Sequence, residues 1–153
     1  MTQRLQLADA APNAPKGLYA ASAYLTQCSL PITLVDLVYL RVSQINGCAY
    51  CIDKHSRDLL QHGMALDKLL LVSVWAESGA LFDARERAAL AWAESLTQVA
   101  QTQVPDADFA AVSAVFTPRE VADLTMAAAI MNAWNRIGVS MRMTPAAAAQ
   151  ASA

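Results

Sequence analysis

The chain carries little charge and no concentration of either sign. Charged residues make up 16% of its 153 positions, and the formal net charge is −2. No basic run occurs, so the electrostatic footprint of a nucleic-acid-binding protein is missing. No stretch reaches the ~20 consecutive apolar residues that cross a bilayer. Met1-Thr2-Gln3-Arg4-Leu5-Gln6 is polar where a signal peptide would be apolar. These absences predict a soluble, cytoplasmic protein with neither membrane nor nucleic-acid partners. Cysteine is scarce, and three residues is an odd number that does not suit a secreted disulfide framework. Glycine is also scarce, at five residues. Asn46-Gly47 separates two helical patterns rather than two alternating ones, so hairpins are disfavoured.

Apolar residues are abundant. They form 56% of the chain, above the ~45–50% usual in soluble domains. Much of the excess is alanine, which favours helix. The remainder exceeds what one small domain needs for its core and predicts association of copies. Pro15 opens a helix expected to reach about Leu30, and a second spans about Ile32 to Ile45. A third runs from about Cys48 to His62 and is closed by Gly63. A fourth covers about Leu66 to Ser78. Asp83-Ala-Arg-Glu86 and Thr117-Pro-Arg-Glu120 are capping boxes that start helices over about 84–99 and 118–142. A shorter helix over about 106–115 follows Pro105. The fold class is all-α: one domain of six to seven helices over residues 1–143, with no sheet. An Ala-rich tail over 144–153, with little to bury, is expected to be mobile.

The chemistry concentrates in Cys48-Ala-Tyr-Cys51-Ile-Asp-Lys-His55. At ~100° per residue, offsets of 0, 3 and 7 fall on one helix face, so both thiols and the imidazole point the same way. Both sulfurs sit in the first turn, where unpaired N–H groups and the helix dipole stabilise a thiolate. His55 stacks one turn above Cys51 and can accept its proton. Such a pair can close as an intrahelical disulfide and cycle. Asp36 lies on the preceding helix and can orient His55 if the two helices pack side by side. A zinc site is the sharper rival, because two thiols and a histidine are three zinc ligands. His62 shares the helix face but is too far along it to reach an ion on the thiols. Trp75, Trp92 and Trp134 read as core or subunit-contact residues, Cys28 as a small buried hydrophobe, and Met126, Met131, Met141 and Met143 as packing. Asn135 and Arg136 receive no chemistry.

The run from Asp36 to His55 resembles the AhpD-like (alkylhydroperoxidase D-like) branch of the carboxymuconolactone decarboxylase superfamily. The likeness continues through Arg85–Trp92 and Asn132-Ala-Trp-Asn-Arg-Ile137. The resemblance implies a helical fold that assembles as trimers or hexamers. It implies antioxidant peroxidase activity on hydroperoxides, with a dithiol reductant and no cofactor beyond a redox-active Cys48–Cys51 disulfide. Cys51 matches the peroxide-attacking thiol, Cys48 the resolving thiol, and His55 with Asp36 the proton relay. Two positions depart from the pattern. The relay carboxylate is Glu in the family and Asp36 here, and the residue before the second Cys is His there and Tyr50 here. A dithiol–disulfide relay without peroxide preference, and a non-catalytic metal-binding or structural oligomer, are the alternatives.

Overall fold

The computed structural model describes residues 2–150, and among them there is no strand. The elements in order are α1 (Leu7–Ala10), α2 (Lys16–Leu25), α3 (Ile32–Asn46), α4 (Ala49–Gln61), α5 (Leu66–Leu70), two 3-10 turns (Val72–Glu77 and Gly79–Leu81), α6 (Ala84–Thr97), α7 (Val99–Thr102), α8 (Asp106–Ser113), α9 (Pro118–Met141) and α10 (Ala146–Gln150). Six of the α-helices have eight residues or more.

Helix α3 is apolar nearly all round, and a helix of that kind has to be enclosed. It packs against α4, α6 and α9, and nine of its residues are buried. Helix α4 is the opposite case, with a narrow inward stripe of Cys51, His55 and Leu59. Charged pairs such as Lys54–Asp58 and Asp53–Arg57 lie along α4. The boxes at Asp83/Glu86 and Thr117/Glu120 both close, each satisfying two otherwise orphan N–H groups.

Two stretches differ from the sequence expectation. Helix α2 stops at Leu25 instead of reaching Leu30. The backbone and hydroxyl of Ser29 and the phenol of Tyr24 turn instead to the buried Asp123 on α9. The helix expected over 66–78 breaks after Leu70 into a 3-10 segment with a kink at Val74. The Arg87 guanidinium takes the carbonyls of Trp75, Ala76 and Gly79, which gives that backbone partners outside a helical ladder. The tail forms α10, which lies against α4, and the Ala147 N–H donates to Asp53 Oδ2 at 3.2 Å. Residues 151–153 of that tail lie outside the described residues. No helix among the described residues is long and apolar enough to cross a membrane.

Candidate active site

The site begins with the way α3 ends. Gly47 adopts φ 67°, a left-handed conformation that costs glycine little. The Gly47 N–H returns to the Gln44 carbonyl and the Cys48 N–H to the Ser43 carbonyl, a reciprocal closure of the helix end. The same turn leaves Cys48 as the N-cap of α4, where its sulfur accepts the Cys51 N–H at 3.4 Å. Both thiols therefore lie in the first turn of α4, and both are buried and free.

Helix α9 forms the wall behind them. A Cβ on Gly138 would stand 2.8 Å from Cys48 Sγ and 3.6 Å from Cys51 Sγ, so only glycine leaves room for the pair. One turn earlier Asn135 is fully buried. Its amide donates to Ser43 Oγ at 3.0 Å and accepts from Asn46 Nδ2 at 2.9 Å. The Asn135 amide also donates to Met131 Sδ at 3.3 Å, and its presence beside the thiols lowers both of them.

The two thiols are electrostatically unlike. The hydrogen bond from Cys51 lowers the Cys48 thiol from 9.0 to about 7, helped by the Cys51 N–H, Asn135 and the Tyr50 N–H, against the opposing effect of burial. Cys51 is raised, first by that same bond to Cys48, then by burial and by the Cys48 charge. The pair gives up one proton readily and holds the second tightly. Access divides them the other way. A cavity of about 440 Å³ is lined by Cys51 but not by Cys48. Its walls include Tyr19, Tyr50, Met131, Trp134 and Met143, an apolar surround for a guest of moderate size. Trp134 is held in place by its Nε1–H donating to Ser22 Oγ at 3.1 Å and by its ring against Tyr19.

The polar end of the cavity is an imidazole between carboxylates. The side-by-side packing of α3 and α4 brings Asp36 Oδ1 to 3.4 Å from His55 Nδ1. Asp58, one turn along α4, brings Oδ2 to 3.3 Å from the same nitrogen. The other oxygen of Asp36 lies 3.2 Å from His62 Nδ1. His62 therefore shares the Asp36 carboxylate with His55. The Tyr39 ring packs on His55 with centroids 4.9 Å apart. Burial, then the charge of Asp36, keeps the Tyr39 phenol protonated well beyond its ordinary range, so it acts as a wall and not as a base.

The structure thus gathers Cys51, His55 and Asp36 on the wall of one cavity, with Cys48 beside Cys51 but off that wall. Sequence reasoning passed over Asn135, Ser43, Gly138, Asp58 and the link from His62 to Asp36. Asp58 and His62 had a local signal, since both follow His55 at helical spacing. Asn135 had a signal only in the family likeness over Asn132–Ile137, and Gly138 had none beyond a lone glycine inside an apolar helix. The assignment of Trp134 to packing alone is also too narrow, because it walls the cavity.

Residues 10–95 match the sequence pattern of the carboxymuconolactone decarboxylase family. The uncharacterized protein YdfG of Bacillus subtilis is 32% identical over 141 residues, which span 92% of this chain and 95% of the relative. A crystal structure of a protein of unknown function from Agrobacterium tumefaciens, associated by name with antioxidant defence and AhpD, superposes with a TM-score of 0.91. It shares 35% identity and covers 94% of this chain and 98% of its own. An uncharacterized peroxidase-related protein with an alkylhydroperoxidase AhpD core, from Ralstonia eutropha, shares the fold at a TM-score of 0.79 and 22% identity. That likeness covers 90% of this chain and 73% of the other.

Proposed function

The chain belongs to the carboxymuconolactone decarboxylase family, and from that premise we propose that it is a thiol-dependent peroxidase reducing hydroperoxides through a Cys48–Cys51 dithiol/disulfide cycle. One juxtaposition carries the reading. Cys51 opens onto an apolar cavity with an imidazole at its polar end, while Cys48 lies behind it in hydrogen-bond contact. The names carried by the Agrobacterium and Ralstonia structures point in the same direction.

In the resting pair the negative charge rests on Cys48, the sulfur that the helix N-terminus serves. The Cys51 S–H proton crosses the sulfur–sulfur hydrogen bond as peroxide arrives, leaving the thiolate on the sulfur that the cavity reaches. Cys51 attacks the terminal oxygen of R–O–OH. An S–O bond forms, the O–O bond breaks, and the departing alkoxide takes through His55 the proton released when the pair ionised. Cys51 is then a sulfenic acid. The Cys48 sulfur displaces its hydroxyl, the S–S bond forms, and the Cys48 proton leaves in water. A dithiol donor returns the two electrons. Asp36 orients His55 for these transfers. The exposed side chains of Leu66, Leu70 and Val74 support the further reading that copies associate.

Reduced protein given one equivalent of organic hydroperoxide without oxygen should lose two titratable thiols and release the alcohol. Cys51→Ser should slow that consumption by on the order of a thousandfold. A Cys51→Ser variant as fast as the parent sinks the assignment. Rapid exchange with small disulfides and negligible peroxide turnover would move the function to a dithiol relay.

A further inference from the structure

The imidazole–carboxylate cluster, from which the dithiol cycle draws His55 and Asp36, also has a buried nitrogen without a hydrogen-bond partner. His55 is 6% exposed, yet its Nδ1 makes no hydrogen bond of acceptable geometry. Two carboxylate oxygens stand 3.4 Å and 3.3 Å from that nitrogen. Those separations are long for a charge-assisted hydrogen bond, which closes to about 2.7–2.9 Å. They match the edge of a ligand tetrahedron. Donors about 2.0–2.1 Å from a zinc ion lie about 3.3 Å from one another. The three donor atoms of Asp36, His55 and Asp58 all fall within 4.8 Å of one another.

We propose that Asp36, His55 and Asp58 form a binding site for one divalent transition-metal ion, without the thiols. One imidazole nitrogen and two carboxylate oxygens suit zinc and its borderline neighbours. His62 braces the site from outside, with Nδ1 3.2 Å from the free oxygen of Asp36, the kind of outer partner that fixes a ligating carboxylate. All three ligands line the cavity. A fourth coordination position therefore faces space that water or a small ligand can enter. Lys54 opposes loading, since its Nζ lies 2.8 Å from the same Asp58 oxygen. The ion has to displace that ammonium, which is half exposed and free to swing into solvent.

The proposal is tested by equilibrium zinc binding to the full chain, followed by calorimetry and by competition with a chromophoric chelator. The parent and the Cys48→Ser/Cys51→Ser double variant should each bind one zinc per chain with equal affinity. Asp58→Asn should weaken binding about 10- to 100-fold, and Lys54→Met should tighten it. Cobalt(II) in the same site should give visible ligand-field bands without a thiolate charge-transfer band. Absence of stoichiometric binding overturns the proposal. So does binding that disappears with the two cysteines, or one that is indifferent to both Asp58→Asn and Lys54→Met. These outcomes do not depend on peroxide turnover, so the site and the peroxidase reading fail separately.

Discussion

The two ends of the inward stripe of α4 handle buried polarity in opposite ways. At the first turn, the Cys48 sulfur accepts from a neutral donor, the Cys51 N–H, and the buried Asn135 amide stands nearby and lowers both thiols. The Asn135 amide is fixed in direction by its bonds with Asn46 and Ser43. Dipoles held in place stabilise one negative charge without adding a counter-charge. Further along the same stripe, the His55 nitrogen faces two carboxylates and satisfies neither. That end is incomplete by itself and calls for a mobile proton or a cation. One helix therefore presents a finished charge site beside an unfinished one, and the pairing is what a proton-coupled thiol reaction needs.

The contrast breaks most visibly at the unfinished end. His55→Gln keeps a polar side chain but removes the titratable group. Under the peroxidase reading, stopped-flow oxidation of reduced protein by a hydroperoxide should slow by about 10²- to 10⁴-fold, while the thiol count stays unchanged. An undiminished rate would remove His55 from the chemistry.

At the finished end, Gly138→Ala pushes a methyl group to 2.8 Å from Cys48 Sγ. Chemical denaturation should show a loss of about 1–3 kcal/mol, and mild oxidant should close the disulfide more slowly. Unchanged stability would mean that α9 can retreat from the thiols. Asn135→Ala removes an amide that lowers both thiols. The first thiolate, followed by its ultraviolet absorbance, titrates near pH 7 in the parent and should move upward towards the ordinary thiol range. A downward shift would contradict the role of the amide.

The smallest effect concerns pH and stability. Cys48 is depressed in the folded protein from 9.0 to about 7. The stability it supplies is therefore missing below about pH 7 and grows as pH rises from there towards 9. Cys51 is raised above 9.0, so from about pH 9 upward the unfolded chain loses a proton that the folded one retains, and stability declines. The melting temperature of reduced protein should pass through a maximum near pH 9, relative to the Cys48→Ser/Cys51→Ser variant. Two superimposable profiles would show that the sulfurs are not coupled through folding.

Much of the site was visible along one helix. Cys48, Cys51 and His55 share a face because seven residues make about two turns, and Gly47 announces where the helix must restart. The capping residues Asp83 and Thr117 likewise mark starts that the structure keeps, because an N-cap depends only on its own first turn. The 3-10 path after Leu70 was invisible, since the carbonyls of Trp75, Ala76 and Gly79 find their partner in Arg87, on another helix. The early end of α2 was invisible for the same reason, its cause being Asp123, 94 positions from Ser29.

By itself, then, the amino-acid sequence determined that two thiols and an imidazole lie together at the start of a helix in an all-helical chain. Short-range spacing and turn chemistry suffice for that. Only the tertiary structure decided which sulfur meets the cavity, because that depends on how α4 packs between α3 and α9. It alone brought Asp36 across from α3 to share its two oxygens between His55 and His62. Packing between helices sets those distances, and residues far apart along the chain become neighbours only once the core has closed around α3.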